Sequence, residues 1–256
     1  MPHQRYFTKQ LFRLNGVVTI EGTEFHHMHR VMRQKKGESV EVINGQGELA
    51  TGIITAFGKA GTKAEITLNQ IEKSTLPSSP FCFTLCLAFL RPTALEFAIE
   101  KAVEMGAHTI CLFPAERSEK TKISEVYLQR LYNILVAACK QCGRLIFPQL
   151  HIYSTLSHSL LDGQLLLFGD PHEKSLLMDH FYQQMLTSKQ VTLLIGPEAG
   201  FTDNELTLMR SKGAFGIQFH PYTLRAETAA LYGSALITNW LFKQENSSDV
   251  HPTSST

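Results

Sequence analysis

The stretch TLLIGPEAGFTDNEL, residues 192–206, decides the fold. An apolar run of strand length stops at Gly196. Pro197 stiffens a turn, and Gly200 permits close backbone approach or positive φ. Thr202 and Glu205 then stand three apart, as a capping box that starts a helix. A second stretch, FHPYTLRAETAALYGSAL at 219–236, repeats the plan of strand end, polar loop and helix. Two such units in a row set backbone donors and acceptors at neighbouring strand ends, where open α/β sheets bind ligands.

Upstream of these loops the pattern continues. FCFTLCLAFL (81–90) is a continuous apolar run, as expected for a strand buried on both faces. TALEFAIEKAVEMG (93–106) carries apolar residues at 95, 98, 99, 102 and 105, one helix stripe closed by Gly106. HTICLF (108–113), QLLLFGD (164–170), VTLLIG (191–196) and AFGIQF (214–219) read as further strands. SEVYLQRLYNILVAACKQ (124–141) reads as a helix, and the last helix as about Arg225 to Lys243. Alternating strands and helices imply a mostly parallel α/β sheet.

Residues 17–71 follow a different rule. VVTI (17–20), ESVEVI (38–43), ELATGIITAF (48–57) and KAEITLNQI (63–71) are strand-like, broken at Asn44-Gly45 and at Gly58 to Gly61 as hairpins are. TEFHHMHRVMR (23–33) places Phe25, Met28, Val31 and Met32 at helix spacing. A small barrel with one helix is the economical reading. STLPSSP (74–80) is polar and Pro-rich and reads as a linker. ENSSDVHPTSST lacks periodicity and reads as a disordered tail.

A chain of 256 residues holds two domains comfortably. Its net charge is +1, so no global polybasic signal exists. Residues 1–73 nonetheless hold ten Lys/Arg against seven Asp/Glu, and also His3, His26, His27 and His29. A mildly basic small domain is compatible with RNA contact. The five cysteines are odd in number and scattered, the N-terminus has no apolar leader-like core, and no run reaches membrane-spanning length. A reducing, cytoplasmic setting is expected.

Several motifs have plain structural readings. Cys139-x-x-Cys142 lacks a second Cys or His pair, and His26, His27 and His29 fall on different helix faces, so no metal is expected. Gly196–Gly200 is neither a P-loop nor a dinucleotide fingerprint, and no Gly-x-Ser-x-Gly elbow exists. Glu198 reads either as a partner for a helix N-terminus or as a proton acceptor. Arg225 opens the last helix beside Glu227, and Ala229, Ala230 and Ala235 make that helix narrow.

The two loops resemble the C-terminal signatures of the SPOUT methyltransferases, in particular the bacterial 16S ribosomal RNA uridine-N3 methyltransferase family. The matching residues are Gly196-Pro197-Glu198, Gly200, Leu224-Arg225 and Glu227-Thr228-Ala229. RYF (5–7), HRVMR (29–33), LEFAIEKAVEMGA (95–107), ERS (116–118) and AACKQCGR (137–144) extend the likeness over nearly the whole chain. The resemblance implies an α/β protein with a PUA-like RNA-binding β-barrel at 1–73. A SPOUT methyltransferase domain with a deep trefoil knot follows at 80–243, a tail at 244–256 ends the chain, and the protein forms a homodimer. S-adenosylmethionine would be held by Phe168, Gly169 and Asp170, by Ile195, Gly196, Pro197 and Gly200, and by Phe219, His220, Leu224 and Thr228. Arg225 and Glu198 are the implied catalytic pair. Arg5, Arg30, Arg33, Arg117 and Arg144 are the candidate contacts to 16S rRNA in the small subunit. Ala199, His220, Tyr222 and Ala226 depart from the family's usual residues. Two alternatives stay open: another RNA base or ribose 2′-OH as target, and a non-catalytic RNA-binding assembly factor.

Overall fold

The computed structural model describes residues 5–58, 61–74, 81–159, 164–172 and 175–247. Most of the expected linker at 74–80 lies outside them. The chain divides into two units. The first combines the chain up to Pro77 with Val136–Phe147, and the second holds the remainder.

The first unit is a five-stranded sheet in the order β1-β3-β4-β5-β2. Its strands are β1 (Arg5–Phe7), β2 (Val17–Glu21), β3 (Ser39–Ile43), β4 (Glu48–Phe57) and β5 (Lys63–Lys73). β1 runs parallel to β3, and the other pairs are antiparallel. Period-2 alternation sends Val18, Ile20, Val40, Val42, Ala50, Ile54, Ala64, Ile66 and Leu68 into one core. The sequence reading expects a small barrel. The described sheet is an open half-barrel, ending on β1 and β2. β1 offers only three residues to a ladder, and all three are spent on β3. β4 slips register twice against β5, first at Thr51/Gly52. A Cβ at Gly52 would lie 2.6 Å from both Ile66 and the Thr67 carbonyl, so only glycine fits that bend.

The expected helix at 23–33 forms as α1 (Gly22–His26), continued by a π-helical turn over His27–Val31. Phe25 and Met28 bury their side chains beneath it. His29 stacks on Phe25 at 5.3 Å, while His26 and His27 face outward.

The second unit is a six-stranded, wholly parallel sheet in the order β11-β9-β10-β6-β7-β8. The strands are β6 (Cys82–Ala88), β7 (Thr109–Phe113), β8 (Gln149–Ile152), β9 (Leu165–Gly169), β10 (Gln190–Ile195) and β11 (Phe215–Ile217). Its helices are α2 (Pro92–Glu104), α3 (Glu125–Cys142), α4 (Tyr182–Ser188), α5 (Asp203–Ser211) and α6 (Ala226–Ser247). α3 begins in this unit and ends in the first. Gly106, at φ +86°, stops α2 as its position in the sequence predicts. α6 runs through Ser247, past the expected end at Lys243, and the rest of the expected tail lies outside the described residues. Among the described residues no helix is long and apolar enough to cross a membrane.

The register separates two buried faces. Cys86, Ala88, Leu166, Phe168 and Leu194 point to one core, which Met209 of α5 joins. Leu85, Leu167 and Leu193 align across β6, β9 and β10, and alternation turns them to the opposite face. α6 closes that face. Its buried residues are Ala226, Ala230, Ser234, Ile237 and Leu241, one helix stripe. Gly233 is the point of closest approach. A Cβ there would stand 2.6 Å from Leu193 Cδ2 and 2.8 Å from Phe219 Cζ.

The topology also fixes where a ligand belongs. From β6 the chain steps outward to β7 and β8, then returns on the other side of β6 to build β9, β10 and β11. Strand order reverses at the β6/β10 boundary. The crevice at the carboxyl ends of such strands is the ligand position of open parallel sheets.

Candidate active site

Loops following β6, β9, β10 and β11 emerge side by side at that edge, because all four strands are parallel neighbours. The loop after β10 is the tightest. The Gly200 amide donates to the Pro197 carbonyl at 2.8 Å. Gly200 has φ +73°, and a Cβ there would point into open space. Gly196 lies under the Phe201 ring, 3.1 Å from where a Cβ would stand. The Thr202 hydroxyl accepts the Glu205 amide and the Glu205 carboxylate accepts the Thr202 amide, so the expected capping box starts α5.

The loop after β9 is closed by its neighbours. The Asp170 amide donates to Ile217. Its carboxylate, 5% exposed as a residue, accepts the His172 amide at 3.1 Å and pairs with Arg210 at 3.2 Å. The Arg210 guanidinium also lies over the Phe168 ring, 5.6 Å from its centroid. Asp170 and Phe168 are therefore occupied internally, and what this loop offers a ligand is backbone. Gly169 lets Ile195 and Phe219 approach to 3.2 Å of where a Cβ would be. Phe219 in turn touches the Gly233 position on α6, so the three loops share one apolar contact chain.

In the loop after β11, His220 Nδ1 accepts the Tyr222 amide at 3.2 Å and the two rings tilt together at 5.4 Å. Both side chains are exposed, as are Arg225 and Thr228, while Leu224 is half-buried. The Arg225 carbonyl accepts the Ala229 amide and so starts α6. Its guanidinium carries no ion pair among the described residues.

Glu198 is exposed at the turn of the β10 loop. Its Oε1 accepts the Arg91 amide at 3.0 Å, at the entrance of α2, where no side chain of α2's own segment caps the helix. The Arg91 side chain pairs with Glu119 at 2.6 Å. Sequence reading passed over Arg91, since nothing local marks a backbone amide that a residue 107 positions away will cap.

The five candidate RNA contacts separate into two kinds. Arg30 and Arg33 are exposed and carry no ion pair among the described residues. Arg5 is held by Glu41 at 2.6 Å. Arg144 donates to the Ile146 carbonyl at 2.7 Å, and burial holds its guanidinium below the usual range. Arg117 donates from Nη1 to the carbonyls of both Ala199 and Phe201, each at 3.2 Å.

Three glycines replace side chains at the crevice, Ile195, Phe219 and Leu224 supply apolar surface, and exposed Arg225 supplies charge. A parallel sheet whose loops gather at a strand-order reversal has the architecture of an α/β ligand-binding unit. The chain belongs to the RNA methyltransferase domain family, whose model matches residues 77–238. A second model, the RNA methyltransferase PUA domain, matches residues 20–66. Among relatives, the chain is 28% identical to ribosomal RNA small subunit methyltransferase E of Rickettsia conorii, over 85% of this chain and 88% of that one. It is 24% identical to ribosomal RNA small subunit methyltransferase E 2 of Borreliella burgdorferi, over 86% and 90%. Among solved structures, a predicted RNA methyltransferase from Thermotoga maritima superposes with TM-score 0.74 at 28% identity, over 95% of this chain and 100% of that one. A putative methyltransferase from Legionella pneumophila, solved with bound S-adenosylmethionine, superposes with TM-score 0.84 at 24% identity, over 93% and 98%.

Proposed function

We propose that the protein methylates N3 of a uridine in the 16S rRNA of the small ribosomal subunit, using S-adenosylmethionine. The observation that carries this reading is the convergence of the loops after β9, β10 and β11 at the strand-order reversal, the first two opened by Gly169 and by Gly196 and Gly200, with exposed Arg225 at the mouth of α6. The names of the relatives support the rRNA substrate, and the bound cofactor of the Legionella pneumophila structure supports the methyl donor.

When bound, the cofactor supplies an electrophilic methyl group on a sulfonium. The chain supplies placement. Backbone groups of Gly169–Asp170, Ile195–Gly200 and Phe219–Leu224 would hold the donor, together with Phe168 and Thr228. Aligning the uracil nitrogen with the methyl carbon is the main contribution of such a site. N3 of uridine carries a proton at neutral pH, and its loss spreads negative charge over the ring oxygens. Arg225 stabilises that charge. Glu198, exposed on the same loop, accepts that proton, and its Oε1 also ties the glycine loop to the start of α2. Arg30 and Arg33 in the first unit grip phosphates. We further propose the domain limits 1–73 and 80–243, a cytoplasmic homodimer, and a trefoil knot. The insertion of β10 between β9 and β6, followed by α6 packing back onto β10, supports the knot.

The test is Arg225→Ala assayed on small-subunit RNA with nucleoside analysis of the product. Turnover is expected to vanish while cofactor affinity stays within about threefold, since the guanidinium acts on the developing charge. A methylated base other than N3-methyluridine, or a methylated ribose, would redirect the target. Normal turnover would remove Arg225 from the mechanism.

A further inference from the structure

We propose that Arg117 is a positioning residue of the methyl transfer, clamping the cofactor loop at 196–201 from the segment that follows β7. The proposal rests on the reading of that loop as the cofactor's seat.

Two peptide planes define the loop's turn. In the first, the Ala199 carbonyl accepts Arg117 Nη1 and the Gly200 amide donates to Pro197. In the second, the Phe201 carbonyl accepts the same Nη1 and the Thr202 amide donates to Glu205 Oε2. A peptide unit is planar, so holding its carbonyl and its amide fixes its orientation. All four groups are held. What remains open is the Cα face of Gly200, where nothing stands within 4 Å of a built Cβ.

The clamp is braced in turn. The Glu116 amide donates to Glu205 Oε1 at 2.9 Å, and the Thr202 hydroxyl donates to Glu116 Oε2 at 2.8 Å. The Ser118 amide donates to the Ala115 carbonyl at 3.0 Å, and the Ser118 hydroxyl accepts the Ala115 amide at 3.2 Å. Glu205 is 5% exposed, so its carboxylate is committed to this junction. β7 is not a neighbour of β10, because β6 lies between them. The clamp therefore spans the end of β6, the same end whose Arg91 amide meets Glu198. Residues 116 and 117 thus join the glycine loop to the strand ends on the far side of the switch point. A guanidinium with both carbonyls in hand has a reason to be in the ERS segment that does not involve phosphate.

The test compares wild type, Arg117→Ala and Arg117→Lys in three measurements. Arg117 is exposed, so the variants keep the buried core, and a thermal melt verifies that. By calorimetry, Arg117→Ala is expected to weaken S-adenosylmethionine binding about 10-fold or more, the loss of a charge-assisted hydrogen bond. Arg117→Lys, able to reach one carbonyl, should recover part of it. RNA affinity and its salt dependence should stay within about twofold of wild type. In steady-state assays the loss should fall on KM for the cofactor and not on KM for RNA. Hydrogen exchange at the Gly200 amide should quicken in Arg117→Ala with no cofactor present. Unchanged cofactor affinity and unchanged exchange, with weakened RNA binding and a shallower salt slope, would overturn the proposal and make Arg117 a phosphate contact. Faster exchange at Gly200 in Arg117→Ala, alongside a folded wild type that binds no cofactor, would uphold the clamp and refute the cofactor reading instead.

Discussion

Gly233→Ala tests the packing that brings α6 to the loops. In an unconstrained helix the change would help, because alanine outranks glycine by about 1 kcal/mol. Here the new methyl would meet Leu193 Cδ2 at 2.6 Å and Phe219 Cζ at 2.8 Å. Leu193 is fully buried in the central strand, paired on both sides by β9 and β6, and has nowhere to turn. Overpacking of a filled core costs about 1–3 kcal/mol. Contacts this short against a buried side chain belong to the upper part of that range, about 2–3 kcal/mol, so subtracting the propensity gain leaves a net loss of about 1–2 kcal/mol. For a chain of this size that lowers the melting temperature by about 2–8 °C. Phe219 also borders Gly169, so its displacement should weaken cofactor binding as well. Differential scanning calorimetry and a cofactor titration on the same preparation read both effects. A variant that melts at or above wild type, as propensity alone demands, would refute the close approach of α6 to β10.

Two further predictions follow from burial. Desolvation pushes the phenols of Tyr6 and Tyr127 up to about 12, with smaller contributions from nearby acids, Glu24 and Glu38 at Tyr6 and Glu96 at Tyr127. A folded-state value above the unfolded value of about 10 gives stability that is whole below pH 10 and lost as pH climbs toward 12. Tyr6→Phe or Tyr127→Phe should each remove one late step from the ultraviolet phenolate titration, and an unchanged titration would contradict the burial. Among the thiols, Cys142 is exposed, while burial pushes Cys139 up to about 12 and Cys86 and Cys111 are buried. A chromogenic disulfide reagent should therefore react first at Cys142, and Cys142→Ser should abolish the fast phase; a fast phase that persists would place reactivity elsewhere.

Periodicity made most elements legible. The continuous run at 81–90 became central strand β6, and the stripe from Leu95 to Met105 became α2. β8 escaped because Gln149–Ile152 is a short edge strand with only Leu150 partly shielded. β1 is three residues long and is made a strand by its partner β3. The return of Val136–Phe147 to the first unit was invisible, because α3 reads as one uninterrupted helix. Its terminus is tied there by Lys140 on Glu24 at 2.6 Å, a pair 116 residues apart. The polar run after Lys243 lacks periodicity and reads as disorder, yet Gln244 and Glu245 are good helix formers and Asn246 bonds back to the Phe242 carbonyl.

The site divides the same way. The glycines and the capping box are local features with local causes, and the sequence displays them. Arg117 on Ala199 and Phe201, Glu198 on the Arg91 amide, and Gly233 beneath Leu193 are long-range contacts. A motif can flag such residues without showing what they touch. Arg5, Arg117 and Arg144 are candidate RNA contacts in the sequence, and each also has a partner in its own chain that the sequence does not display.

The central claim is that the loop at 196–200 holds S-adenosylmethionine. The direct measurement is a calorimetric titration of wild type and Gly196→Val with the cofactor. A branched side chain at 196 would collide with the Phe201 ring, already 3.1 Å from a built Cβ. The account predicts saturable binding, one cofactor per chain, that the folded variant loses. No saturable binding by folded wild type, with or without added rRNA, or equal binding by both proteins, would contradict it.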